Sequence, residues 1–198
     1  MGGTIALRWL LTAAFALAGS YCTAQCLAML RTRTEGRAAT VLANVAHVAM
    51  SLAMIGAVWW APSWRVVTWE MAIFAVAGGW FAVRVIALRQ RATGCVRHTP
   101  TSRGGVYSKL ACAHHAAAMA AMVWMLTAMV ARPGMAGMPT HASATPTSRA
   151  LTAAVLGGYF AVAAACWLVG GTRRRGVPGA TAHGLMSAAM GTAFLTLA

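Results

Sequence analysis

Apolar residues dominate six long stretches of the chain, and shorter segments between them hold most of the polar and charged residues. A helix needs about 20 predominantly apolar residues to cross the hydrocarbon core of a bilayer. The pattern therefore predicts an all-α fold, an integral membrane six-helix bundle that forms a single transmembrane domain over residues 1–198. The predicted spans are 4–30, 38–61, 66–88, 110–131, 149–171 and 178–198.

Two recurring phrases suggest that the six helices form three repeated helical hairpins. Residues 46–54 and 182–190, in two even-numbered spans, both have the pattern A-H-x-x-M-S-x-A-M, and residues 113–122 hold a looser copy. The odd-numbered spans carry a phrase of two small residues and an aromatic one, at residues 78–80 and 157–159 and more weakly at 19–21. Repeats of this kind are common in membrane folds, and small residues let helix backbones approach closely. The alternative is chance similarity among alanine-rich helices.

The composition agrees with a membrane location and excludes several chemistries. Hydrophobic residues make up 60% of the chain and charged residues 9%, whereas soluble domains carry about 25% charged residues. The acids are only Glu35 and Glu70, which nearly excludes catalysis by paired carboxylates. No nucleophile or phosphate-binding motif is present, so an enzymatic role is not indicated. The five scattered cysteines do not suggest a disulfide framework.

The net charge of +14 comes mostly from loops on one side of the predicted helices. Positive residues concentrate in cytoplasmic loops of membrane proteins, so the first, third and fifth loops are predicted to be cytoplasmic. Both termini then lie outside the inner (plasma) membrane, and the basic charge indicates a lipid bilayer rather than nucleic acid as the partner. The basic residues of these loops are Arg31, Arg33, Arg37, Arg89, Arg91, Arg97, Arg103, Lys109, Arg173, Arg174 and Arg175.

The even-numbered spans each present a stripe of histidine and methionine. Helical positions i, i+3 or i+4, and i+7 lie close to one face. If three hairpins pack around a pseudo-threefold axis, the stripes converge on one intramembrane cluster. The candidate metal ligands are His47, Met50, Met54, His114, His115, Met119, Met122, His183, Met186 and Met190.

These ligand types favour a soft metal ion. Thioethers are soft and imidazole is borderline, and together they suit copper, particularly Cu(I). The scarcity of acids argues against calcium, magnesium and manganese, which prefer oxygen. The alternative is ordinary packing, because methionine is a common core residue and duplicated helices inherit their residues.

An outer entrance for copper is predicted beyond the fourth span. Met125 and Met129 continue its stripe, and the next loop contains Met135, Met138 and His141 in an M-x-x-M-x-x-H pattern. The alternative is that this Pro-, Ser- and Thr-rich segment is a plain linker.

Three cysteines are further candidates for a soft-metal site. Cys22 and Cys26 share a face of the first helix, and Cys112 lies one turn before His115. Buried cysteines are also common as inert core residues.

Six spans, an alanine- and arginine-rich composition and the blocks at His47, His114-His115 and His183 together resemble an uncharacterised actinobacterial family of multi-pass membrane proteins, a domain of unknown function. The resemblance covers most of the chain and implies no established activity. Three functions stay open: copper handling or transport, electron transfer through haem b with histidine or methionine axial ligands, and a structural or accessory subunit without a cofactor.

Overall fold

A computed structural model describes residues 5–31, 37–60, 63–87, 104–130, 146–173 and 178–196. These residues form six α-helices and no strand, which confirms the predicted all-α fold. The main difference from the predicted spans is that α4 begins at Gly104 rather than near residue 110. The helices are α1 (Ile5–Leu30), α2 (Arg37–Trp59), α3 (Trp64–Ala87), α4 (Gly104–Val130), α5 (Pro146–Arg173) and α6 (Pro178–Leu195).

The last two helices both begin at a proline, Pro146 or Pro178. Proline has no backbone N–H and a fixed φ near the helical value. The first helical position requires no hydrogen bond from its N–H, so proline fits there without loss.

Five of the helices are long and apolar enough to cross a membrane, among the residues that the structure describes. The sixth, α6, has 18 residues and is not among the five. From Gly179 to Phe194, α6 is buried or half-buried at every position except Thr181. A helix enclosed by protein needs fewer large apolar side chains than one that faces lipid, which explains the weaker apolar signal of α6. The spanning segments are Ile5–Leu30, Thr40–Trp59, Trp64–Ile86, Leu110–Met129 and Thr147–Gly170.

The helices with histidine and methionine stripes are more buried than those with the small-small-aromatic phrase. About half of the spanning window of α4 is buried (50%), and 44% of that of α2, compared with 22% for both α3 and α5.

Phenylalanine and tryptophan side chains also differ in burial. All five phenylalanines of the chain are buried, whereas several tryptophans, including Trp60, Trp64 and Trp69, are exposed. The phenylalanines therefore belong to the core, and these tryptophans lie where an amphipathic ring can face lipid or headgroups.

The chain divides into two compact units, and the division falls inside α1, α2 and α4. The first unit comprises Met1–Tyr21, Ser51–Pro62 and Ala128–Ala198. The second unit comprises Cys22–Met50 and Ser63–Thr127.

In the first unit, α5 and α6 pack closely through glycines. A Cβ on Gly191 would lie 3.2 Å from the carbonyl oxygen of Gly157 and 3.3 Å from the backbone nitrogen of Ala161. Phe160 and Phe194 stack beside this contact, with ring centroids 5.7 Å apart and planes inclined by 4°. Only glycine at position 191 lets the two backbones approach this closely, as expected for helix packing through small residues.

The small-small-aromatic phrase lies at a helix contact in both α3 and α5. The first glycine of each pair lies at a helix contact: Gly78 faces Met119 on α4, and Gly157 faces Leu195 and Gly191 on α6. No described atom lies within 4 Å of a Cβ built on the second glycine, Gly79 or Gly158. One small residue of each pair is therefore required by packing, and the other faces open space.

The third hairpin has a different helix register from the first two. Gly19 faces Ser51, four residues after His47, and Gly78 faces Met119, four residues after His115. Gly157 instead faces Leu195 and the carbonyl oxygen of Gly191, which lie twelve and eight residues after His183. The partners of the first small residue are thus one to two helical turns further along in the third hairpin.

Candidate metal site

Two histidines of the predicted stripes form a buried pair in the second unit. Nε2 of His47 on α2 lies 3.0 Å from Nδ1 of His115 on α4, a hydrogen-bond distance. Their ring centroids are 4.7 Å apart and the ring planes are inclined by 68°. The side chains are 3% and 1% exposed, respectively. One ring donates and the other accepts, and the tautomers decide which.

A third helix, α3, also packs beside His115. The ring of Phe81 lies 5.2 Å from that of His115. One turn earlier on α3, Gly78 admits α4, because a Cβ at this position would lie 3.2 Å from the Cβ of Met119. Gly78 of the phrase and Phe81 just after it therefore set how closely α4 packs and what its histidine contacts.

Methionines of the same two stripes are buried in the second unit. Met50 follows His47 on α2, and Met119, Met122 and Met125 follow His115 on α4; all four side chains are at most 1% exposed. The helical spacing predicted one inward face for each stripe, and the burial of these side chains agrees with it. The unit thus holds two imidazoles and four thioethers in its interior.

His114 differs from its neighbour His115. It is half-buried, and its ring centroid lies 6.1 Å from that of His115. Successive residues point about 100° apart around a helix, so His114 lies beside the stripe instead of on it.

The remaining stripe residues belong to the first unit. Met54, Met186 and Met190 are buried there. His183 is half-buried, and its ring lies 5.3 Å from that of Trp167 on α5. The second unit therefore brings together two of the three stripe histidines, and the third has an aromatic neighbour in the first unit.

The predicted outer entrance is described only in part. Met125 is buried in α4 and Met129 is half-buried near its end. Met135, Met138 and His141 lie outside the described residues.

A metal site with three or more ligands among the described residues needs thioethers. These residues contain no group of three or more His, Cys, Asp or Glu side chains that could hold a metal ion. Two histidines together with methionines make a donor set for a soft monovalent ion such as Cu(I). Such a set does not suit zinc, which prefers Cys, His and carboxylate ligands.

The cysteines correct one expectation from the sequence. Cys112 is disulfide-bonded, although the scattered cysteines did not suggest disulfides, so its sulfur is not available as a thiolate ligand next to His115. Cys22, Cys26 and Cys166 are free.

Two serines of the repeated phrase were not among the predicted site residues. Ser51 and Ser187 are 3% and 2% exposed, respectively. Both follow the stripe histidine by four residues, which places them on the histidine's face of the helix. Their recurrence in the A-H-x-x-M-S-x-A-M phrase is the signal that could have identified them.

A family model described as a domain of unknown function (DUF5134) matches residues 39–197. No curated protein and no solved structure matches the chain.

Proposed function

We propose that this chain, which belongs to the DUF5134 family, binds Cu(I) at the His47–His115 pair and serves copper handling or transport in the plasma membrane. The observation that carries the proposal is the buried histidine pair, which belongs to the same unit as buried methionines of the same two helices. We also propose that the chain is of actinobacterial origin, as its composition suggests.

The donor chemistry supports a soft ion. Thioether sulfur binds Cu(I) without losing a proton, and imidazole is an acceptable borderline ligand. A buried imidazole in a membrane protein needs a partner and commonly marks a functional site. Apolar side chains can fill a helix core, so packing alone does not require two imidazole rings that face each other.

The pair geometry accommodates a metal ion after a small adjustment. Metal–imidazole bonds are about 2.0–2.1 Å long, so two nitrogens on one ion lie at most about 4 Å apart. His47 Nε2 and His115 Nδ1 are 3.0 Å apart and need to separate by up to about 1 Å. Both facing nitrogens must then offer a lone pair, so the ring that donates the hydrogen bond moves its proton to its other nitrogen. In this way the ion replaces the shared proton.

The predicted topology suggests a path for copper across the membrane. With both termini outside, the methionines of α4 after His115 lead towards the outer side of the membrane. Met125 and Met129, followed by Met135, Met138 and His141, then form the outer entrance. His183, Met186 and Met190 supply a second group of soft donors in the first unit.

A haem held between His47 and His115 fits this pair poorly. Axial ligands bind on opposite faces of the macrocycle, which keeps the iron and the porphyrin between them. The two facing nitrogens are instead in direct hydrogen-bond contact. This contact favours a single ion over haem b at this position.

Metal analysis of the purified full chain tests the proposal. The protein is loaded anaerobically with Cu(I) in mild detergent, unbound copper is removed with a chelator, and copper per protein is measured. His47→Ala/His115→Ala should bind one ion fewer than the wild-type protein. His98→Ala removes a histidine of the third predicted loop, outside the stripes, and should bind the same number.

Equal copper in the wild-type protein and in the double variant would overturn the proposal. A Soret band in the visible spectrum of the purified protein would favour the haem alternative. Loss of stability in the double variant, with no copper in either protein, would favour a structural or accessory subunit.

A further inference from the structure

Cys22 and Cys26 form a pair of free thiols on one face of α1. They are four residues apart, so their side chains lie one turn apart on the same side of the helix. Cys22 is 2% exposed and Cys26 is half-buried. The sulfur of Cys26 lies 3.8 Å from the carbonyl oxygen of Val41, so this face of α1 meets α2 within the second unit.

The spacing of the two thiols suits a bridging metal ion and not a disulfide. Residues i and i+4 of a helix have Cβ atoms about 5–6 Å apart. A disulfide requires about 3.5–4.5 Å between these atoms. Bonds from a metal to thiolate are about 2.3 Å long, so one ion joins two sulfurs up to about 4.6 Å apart. While α1 remains helical, the two thiols therefore do not form a disulfide with each other and can bind an ion.

The thiols lie close to the level of His47 along the helices. Cys26 is opposite Val41. Only six residues separate α1 from α2, so the two helices run in opposite directions. One turn back along α1 from Cys26 is Cys22, and one turn forward along α2 from Val41 is Val45. His47 follows two residues later, about 3 Å further along the helix axis.

We infer that Cys22 and Cys26 form a second soft-metal site, a dithiolate that takes Cu(I) next to the His47–His115 pair. The choice of Cu(I) as the ion rests on the proposed function. Along α2, the methionines Met50 and Met54 follow His47, whereas Val41, at the level of the thiols, precedes it. The dithiolate thus lies towards the loop that is predicted to be cytoplasmic, on the opposite side of the histidines from these methionines.

Binding of the ion by thiolates releases protons, whereas binding by thioethers does not. Each thiol loses its proton when its sulfur binds the ion. Binding of one Cu(I) by both sulfurs therefore releases two protons, and no electron is transferred. Copper at the dithiolate is released more readily in acid, whereas methionine ligands are insensitive to pH.

Cu(I) titration of the full chain under anaerobic conditions, without a reductant that would break the disulfide of Cys112, tests the site. The wild-type protein should bind one ion more than Cys22→Ser/Cys26→Ser and should show a thiolate-to-copper absorption that the double variant lacks. Cys166→Ser removes a free, exposed cysteine of α5 and should behave like the wild-type protein. The same number of ions and the same absorption in a helical Cys22→Ser/Cys26→Ser protein would overturn the inference.

Alkylation of the wild-type protein gives a test that does not depend on the folding of a variant. Cu(I) at ten times its dissociation constant should slow the labelling of Cys26 by a maleimide about tenfold, with little effect on Cys166. Equal labelling rates of Cys26 with and without Cu(I) would overturn the inference.

The histidine variant separates this inference from the proposed function. If His47→Ala/His115→Ala loses one ion and keeps the thiolate absorption, both sites exist. If it loses no ion while Cys22→Ser/Cys26→Ser does, the dithiolate stands and the histidine site fails.

Discussion

Nε2 of His47 and Nδ1 of His115, from residues 68 positions apart in the chain, lie 3.0 Å from each other. The bond joins α2 to α4 inside a unit that also includes α3. An imidazole inside a membrane protein is costly without a polar partner, and each ring supplies that partner to the other. The pair is therefore both a structural link and the centre of the proposed copper site.

The structural link predicts coupled losses of stability. His47→Ala and His115→Ala each remove a buried hydrogen bond and leave the other ring without this partner, which should lower the free energy of unfolding by about 1–3 kcal/mol. The double variant should lose less than the sum of the two single variants, by about 1 kcal/mol. Unfolding in detergent, followed by circular dichroism, measures all three. Strict additivity would contradict a direct interaction.

The methionines permit a test that separates packing from ligation. Met50→Leu, Met119→Leu and Met122→Leu nearly conserve volume, so each should cost less than about 1.5 kcal/mol of stability. If the sulfur binds copper, the same changes should weaken Cu(I) binding by about tenfold or more. Met71→Leu on α3, outside the stripes, is the matched control. Unchanged Cu(I) affinity in all three variants would assign these methionines to the core alone.

The glycines of the last hairpin predict a contrast between two similar substitutions. Gly191→Ala places a Cβ 3.2 Å from a backbone oxygen and 3.3 Å from a backbone nitrogen of α5, neither of which moves easily. We expect a loss of about 1–3 kcal/mol from overpacking. Gly158→Ala meets open space in the described structure and should cost nothing. Thermal unfolding compares the two, and similar losses would contradict the close approach of α5 and α6.

Copper itself should stabilise the fold. A ligand that binds only the folded protein adds about 2.7 kcal/mol at 100 times its dissociation constant. Cu(I) should therefore raise the unfolding temperature of the wild-type protein and of His98→Ala. His47→Ala/His115→Ala should gain measurably less. An equal gain in the double variant would place the stabilising ion elsewhere, as at the dithiolate.

The burial of the stripes was predictable from the sequence. The spacing of His47, Met50 and Met54 indicates one face of a helix, and such a polar and polarizable face is expected to point away from lipid. The hydrophobic pattern likewise predicted six helices. These are properties of single helices, which a periodic pattern can specify.

The pairing of His47 with His115 was not predictable, because it depends on how helices slide past each other. The equivalent residue of the third hairpin, His183, contacts Trp167 instead. The contacts of Gly157 with Leu195 and Gly191 set that hairpin one to two turns out of the register of the others. Identical phrases therefore have different neighbours, because backbone packing at glycines determines the register.

X-ray absorption at the copper edge of the Cu(I)-loaded Cys22→Ser/Cys26→Ser protein tests the central claim most directly. The account predicts imidazole nitrogens and thioether sulfurs in the first coordination shell of copper. The nitrogen contribution should decrease when His47→Ala and His115→Ala are added, and should stay the same when His98→Ala is added instead. A first shell that does not change on loss of both histidines would contradict copper binding at the His47–His115 pair.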